Sequence, residues 1–148
     1  MTTSILFICH GNICRSPMAE FVFRYLCRQA GGEERFRVRS MAVSTEEIGN
    51  DIYPPAKETL RRHGIPFARH HARQIGREDL DRYDLIVCAD RSNIRAIERM
   101  FGPSPKLSLM MHWAGEERDV SDPWYTRDFE AAYRDIYTAC DALLKKLL

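Results

Sequence analysis

Residues 4–9, SILFIC, form a short apolar run that stops at a polar turn, HGNICR, and the turn opens directly into an amphipathic segment. A run of that length and character suits a parallel strand covered on both faces. After the turn, Met18, Phe21, Val22, Tyr25 and Leu26 recur at helical spacing, with Ser16 and Pro17 as start signals and Gly31-Gly32 as the stop. Strand, turn and helix are fused without a linker.

The rest of the chain repeats the alternation. RFRVRS (35–40) alternates as a strand does, and PPAKETLRRHG (54–64) reads as a helix with proline at its start and Gly64 at its C-terminal cap. YDLIVCA (83–89) is a second buried strand, RSNIRAIERMFG (91–102) a helix, and KLSLM (106–110) a last strand. From about residue 129 to 148 a final amphipathic helix uses Phe129, Ala132, Tyr133, Ile136, Cys140, Leu143, Leu144 and Leu147. Strands alternating with helices predict an α/β fold, a three-layer sandwich around a parallel sheet. No repeat or low-complexity linker interrupts it, so one domain is expected over 1–148, large enough to bury roughly 70% of its unfolded surface. Ligands of such sheets bind at the carboxyl ends of the strands, where the Cys9–Ser16 turn lies.

Composition narrows the partners. Basic and acidic residues number 22 and 21, so overall charge does not suggest nucleic acid. Five cysteines, an odd number without a Cys-x-x-Cys pair, argue against a disulfide framework, zinc or thioredoxin chemistry. No apolar run reaches the length of a membrane span, and MTTSILFIC lacks a basic leader. The expectation is a cytoplasmic monomer with no membrane insertion. The basic stretch 61–77 reads as a solvated face rather than a metal site, and Met110 to Trp113 as core packing.

The turn CHGNICRS places Cys9 five residues before Arg15. Gly11 and Asn12 are the residues best able to adopt left-handed backbone, which lets successive amides point inward as an anion nest. A helix starting near Ser16 aims its free N–H groups at the same spot. Arg15 can fork onto two oxygens of a phosphate-sized anion. The same positive potential favours the thiolate of Cys9, and Ser16 can donate its hydroxyl to that sulfur. Anion binding alone needs no thiol there, whereas nucleophilic phosphoryl transfer does.

A thiolate can take a phosphoryl group only if the leaving oxygen is protonated. RDVSDPWYTRDF offers Asp119 and Asp122 as acids, and proline after Asp122 biases that residue toward extended backbone. Trp124 and Tyr125 can flank a flat substrate ring.

CHGNICRSPMAE, HHARQI (70–75), YDLIVCAD (83–90) and DPWY (122–125) together resemble the low-molecular-weight protein tyrosine phosphatases, and the resemblance covers most of the chain. It implies a four-stranded parallel doubly wound sheet with the phosphate-binding loop after the first strand. It also implies a phosphocysteine intermediate on Cys9, no metal or cofactor, and tyrosine-phosphorylated proteins as partners. Of the two aspartates it selects Asp122 as acid and then base. His10, Gly11, Asn12, Ile13, Cys14 and Ser16 are the substrate-binding loop residues, with Trp124 and Tyr125 on the rim. Asn12, Ser16, Ser40 and His70 are expected to form a network that supports the loop. Ile13 favours phosphotyrosine, because the related protein arginine phosphatases typically carry threonine there. Two departures concern the rim: His10 stands where many relatives are apolar, and STEEIGN (44–50) lacks an aromatic found in some of them.

Thioredoxin-coupled arsenate reductases share the loop and fold but need two further cysteines on a mobile segment. Cys88 falls in a core strand and Cys140 in the last helix. A phosphocysteine carrier would have no use for Asp122, and a non-catalytic phosphotyrosine-binding module would not need Cys9. Cys14 is either packing under the loop or a partner that forms a disulfide with oxidised Cys9.

Overall fold

The computed structural model describes residues 2–148. Its sheet has four parallel strands, β1 (Thr3–Cys9), β2 (Phe36–Ala42), β3 (Leu85–Cys88) and β4 (Leu107–Leu109), in the order β2-β1-β3-β4. The helices are α1 (Arg15–Gln29), α2 (Pro54–Arg62), α3 (Asp79–Arg82), α4 (Arg91–Phe101), α5 (Pro123–Thr126) and α6 (Phe129–Leu147).

The alternation in β1 explains the three layers. Ile5, Phe7 and Cys9 point into one core with residues of α1, α2 and α6, while Leu6 and Ile8 point into a second core with Met41, Ile86 and Ile97. Ile5 through Ile8 are all 0% exposed, as a central strand requires when helices cover both faces. The chain runs from β1 to β2 on one side and then crosses to β3 on the other, so the switch point is the crevice beyond the carboxyl ends of β1 and β3. Cys9 ends β1, and Asp90 follows the last residues of β3.

The expected elements are present, with shifted ends. The first helix begins at Arg15 rather than Ser16, and the second strand runs on to Ala42 rather than stopping at 40. Sequence periodicity could not reveal α3 and α5, which are four residues each and bury one residue apiece. Met110 and Met111 are core residues, as expected, but they belong to a 3-10 turn over Met110–Ala114 whose His112 is exposed beside Glu117. Most of the 61–77 stretch is exposed, His63 included, even though its ring stacks on Tyr133 at 4.0 Å and contacts Glu130 at 2.7 Å, while His70 is buried. No helix among the described residues is long and apolar enough to cross a membrane.

Candidate active site

The turn after β1 is wound by one residue of unusual backbone. Asn12 has φ 63°, the left-handed region that asparagine tolerates better than most residues. Gly11 was expected to share that role and does not, since its φ is not positive. A Cβ there would stand 3.2 Å from Glu47 Cγ, a tight contact with a movable side chain. The N-cap of α1 is Cys14, which offers no side-chain hydrogen bond, so the first-turn amides are left for an anion.

A directional chain of hydrogen bonds holds the turn. Ser40 Oγ donates to Glu20 Oε1 at 2.7 Å, and Asn12 Nδ2 donates to Ser40 Oγ at 3.0 Å and to Ser16 Oγ at 2.8 Å. Ser16 Oγ lies 3.0 Å from Cys9 Sγ, and with Asn12 donating to that oxygen its own proton is free to point at sulfur. His70 Nε2 faces the carbonyl of Asn12 at 2.8 Å and Asn12 Oδ1 at 3.1 Å. Both are acceptors, so Nε2 carries the proton. Burial lowers the His70 pKa, only partly offset by its bond to Asn12 and by Glu20 and Asp51. The expected network of Asn12, Ser16, Ser40 and His70 is therefore assembled, and Glu20 is a further buried member, itself paired with Arg24 at 2.6 Å. The carboxylate at the far end of a chain of donors lies in the helix face of α1, where its spacing looks like any exposed glutamate.

Arg15 is 2% exposed. Its Nη1 donates to the Val120 carbonyl at 2.7 Å, and Nη2 contacts Asp90 Oδ2 at 2.9 Å and Asp122 Oδ2 at 3.3 Å. Burial opposes its charge, but Cys9, Asp122 and Asp90 outweigh burial and raise its pKa. These contacts engage Nη1 and Nη2. A guanidinium forks onto phosphate through a parallel pair that includes Nη2, so an incoming phosphate takes the Nη2 hydrogen now directed at Asp122 at 3.3 Å. Asp90 went unrecognised in the sequence. It has two uses: Oδ1 caps α4 by accepting from Asn93 N at 2.9 Å, and Oδ2 holds Arg15. Burial disfavours its ionised form, yet the Ser92 hydroxyl, Arg15 and the Asn93 amide lower its pKa. An aspartate between a buried strand and a helix was the available signal.

Asp122 sits across from the thiol with extended backbone, φ −87° and ψ 108°, as Pro123 favours. Oδ1 accepts from Trp124 N at 3.0 Å and Oδ2 faces Arg15. Asp119 is directed elsewhere, accepting from the amide of Arg91 at 3.0 Å. A cavity of about 590 Å³ has Cys9, Cys14 and Arg15 among its lining, with Ile13, Trp124, Tyr125, Asp90, Ser92 and Asp122 around them and His10, Gly11, Glu46 and Glu47 at the mouth. His10 and Glu46 contact each other there, and both are exposed. Burial, then the nearby Cys9 and Asp122, pushes the Cys14 thiol far up, so it stays protonated. The Tyr53 ring lies 4.9 Å from that of Trp124, outside the cavity lining. Among the described residues no group of three or more His, Cys, Asp or Glu side chains is placed to hold a metal.

The family model described as low molecular weight phosphotyrosine protein phosphatase matches residues 4–148. The chain belongs to the low-molecular-weight protein tyrosine phosphatase family. It is 41% identical to the low molecular weight phosphotyrosine protein phosphatase of Pongo abelii, over 98% of this chain and 96% of that one. The crystal structure of YfkJ from Bacillus subtilis superposes with a TM-score of 0.95 at 37% identity, covering 99% of this chain and 95% of its own. The low molecular weight protein tyrosine phosphatase from Streptococcus pyogenes gives 0.88 at 31%, covering 99% and 94%. Cysteine-based phosphatase chemistry thus agrees with the geometry around Cys9.

Proposed function

We propose that this cysteine-based protein tyrosine phosphatase uses Cys9 as nucleophile, Arg15 as phosphate clamp and Asp122 as general acid and base. The observation that carries the reading is Cys9 Sγ, 3.0 Å from Ser16 Oγ, in a pocket whose other wall bears Asp122. The phosphate of a phosphotyrosine takes the first-turn amides of α1 and the N–H fork of Arg15 that now faces Asp122. Its negative charge displaces Asp122 as counter-charge to Arg15, which lets that carboxyl hold a proton.

The Cys9 thiolate attacks phosphorus as the bond to the phenolic oxygen breaks, and Asp122 gives its proton to that oxygen. A phosphocysteine and a free tyrosine result. Water then attacks phosphorus, Asp122 takes the water's proton, and the P–S bond breaks to release inorganic phosphate. Ser16 eases that departure by donating to the sulfur.

Ile13 offers an apolar wall to the phenyl ring, with Trp124 and Tyr125 beside it. Glu46 and Glu47 at the mouth disfavour strongly acidic peptides. The alternative, a protein arginine phosphatase, would gain nothing from an isoleucine at this position. Turnover of phosphotyrosine, phosphoserine and phosphoarginine peptides, compared without added metal, tests the reading. Phosphotyrosine should be hydrolysed fastest, and faster release from phosphoarginine would overturn the substrate assignment.

A further inference from the structure

The acid-bearing segment has little to hold it. Helix α5 is four residues long, and of these only Pro123 is buried, with Trp124 45% and Tyr125 82% exposed. Asp122 must nonetheless sit at a set distance from Cys9, because proton transfer in step with P–O cleavage depends steeply on geometry. The phosphate-binding loop is rigid, so something must tie the one to the other.

Tyr53 spans them. Its backbone N–H donates to the Ile13 carbonyl inside the phosphate loop at 2.9 Å. Its ring lies 4.9 Å from that of Trp124 and 6.1 Å from Phe129, so the two ends of the acid segment pack against one side chain. Its hydroxyl accepts from Arg127 Nη2 at 3.2 Å, and Arg127 ends α5 with left-handed φ 61°. Tyr53 itself stands on fixed ground. Pro54 and Pro55 follow it at the start of α2 and hold it extended, and Asp51 two residues earlier accepts from the amides of Ile52 at 2.7 Å and His70 at 2.9 Å.

We propose that Tyr53, latched by Arg127, is the positioning residue that registers the general acid Asp122 against the thiolate loop. The proposal rests on the assignment of Asp122 as acid. A residue that places the acid matters most when the leaving group most needs a proton. Phosphorylation of Cys9 is read by kcat/KM, so phenyl phosphate (basic leaving group) and 4-nitrophenyl phosphate (weakly basic) are the probes.

Tyr53→Ala is expected to lower kcat/KM at least about tenfold on phenyl phosphate and no more than about threefold on the nitrophenyl ester. Tyr53→Phe loses the hydroxyl contact but keeps the ring stack and the Arg127 guanidinium over the ring, 5.6 Å from its centroid, and should recover most of the loss. Arg127→Gly suits the left-handed backbone and leaves residues 50–53 untouched, so it reads the same bridge if the alanine variant does not fold; a selective loss of about threefold is expected. Equal losses on the two esters in the folded variants, or a phenylalanine variant as impaired as the alanine one, overturn the proposal. Asp122→Ala separates the two levels. If it discriminates between the esters and the Tyr53 and Arg127 variants do not, positioning by Tyr53 is wrong while the acid stands. If Asp122→Ala does not discriminate, the acid assignment fails and the proposal with it.

Discussion

The loop carrying Cys9 and the segment carrying Asp122 meet at Arg15, yet they are secured by different means. In the first, Asn12 and Ser16 are 0% exposed and their side chains are tied to each other and to Ser40, His70 and Cys9. In the second, Val120 N donates to the Ala89 carbonyl at 2.9 Å, Arg15 reaches Val120 and Asp122, and beyond Pro123 the segment is largely exposed. A site for a phosphate, whose shape never varies, can be built rigid in advance. The acid always meets a phenol, but the peptide around it differs from one protein to the next, and a lightly held segment tolerates that variety.

The comparison can be broken most severely on the rigid side. Cys9→Ser should abolish turnover, by at least about 10⁴-fold, while still binding oxyanions, because serine keeps the shape but is not ionised there. Arg15→Lys should also be severe, since an ammonium cannot fork onto two oxygens. Substantial residual hydrolysis by the serine variant would rule out a phosphocysteine.

The acid side should show a smaller, selective effect. Asp122→Ala should lower kcat/KM on phosphotyrosine by about 10²-fold or more and much less on esters with weakly basic leaving groups. Loss of the base should slow the shared hydrolysis of phosphocysteine for both. Asp119→Ala should do little, as its carboxylate caps the start of α4 through Arg91. A larger selective loss in the Asp119 variant would reverse the assignment.

The network beneath the rigid loop should be visible in stability against pH. His70 has its pKa lowered from the usual 6.5, so the folded state favours the neutral ring. Its contribution is complete above pH 6.5 and is lost as pH falls toward the folded value. For Asp51, burial works the other way, but Lys57 and the amides of His70 and Ile52 bring its pKa from 3.8 down to about 2. That contribution is complete above pH 3.8 and disappears as pH falls through about 2. Unfolding curves should therefore weaken in two separate acid steps. His70→Ala should remove the first step and cost about 1–3 kcal/mol at neutral pH by leaving Asn12 partly unpaired. If the first step survives in that variant, the titrating group is not His70.

The smallest perturbation is chemical. Cys9 and Cys14 are both buried in the same turn, and Cys14 is a thiol rather than a thiolate. Mild peroxide should oxidise Cys9 to a sulfenic acid, which Cys14 then attacks to give a Cys9–Cys14 disulfide and water. A dithiol should restore activity, and bound phosphate should slow the loss. Cys14→Ser should fail to recover. Sulfinic acid on Cys9 with Cys14 still free, seen by mass spectrometry, would make Cys14 packing only.

Residues 4–30 show how far local pattern reaches. An apolar run, a turn with Asn12, and a 3.6-residue apolar repeat are local properties, and they sufficed to read strand, loop and helix and to place the thiol at a strand's carboxyl end. The same holds for the long helix after residue 129. Four-residue helices have no period to read, so α3 and α5 were invisible. Gly11 illustrates the limit in another way, since the group nearest to a side chain there is Glu47, distant in sequence and adjacent in space.

By itself, then, the sequence determined the layer architecture and the surroundings of Cys9, because both depend on residues near one another along the chain. Family likeness added Asp122 and His70, which no local physics could have joined to Cys9. Only the tertiary structure decided that Asp90 shares Arg15, that Glu20 terminates the loop's hydrogen-bond chain, and that Tyr53 bridges the two loops. Each of those contacts joins atoms that neither helical nor strand periodicity relates. They exist because a parallel sheet gathers the carboxyl ends of distant strands at one edge, where burial drives charged and polar groups to pair.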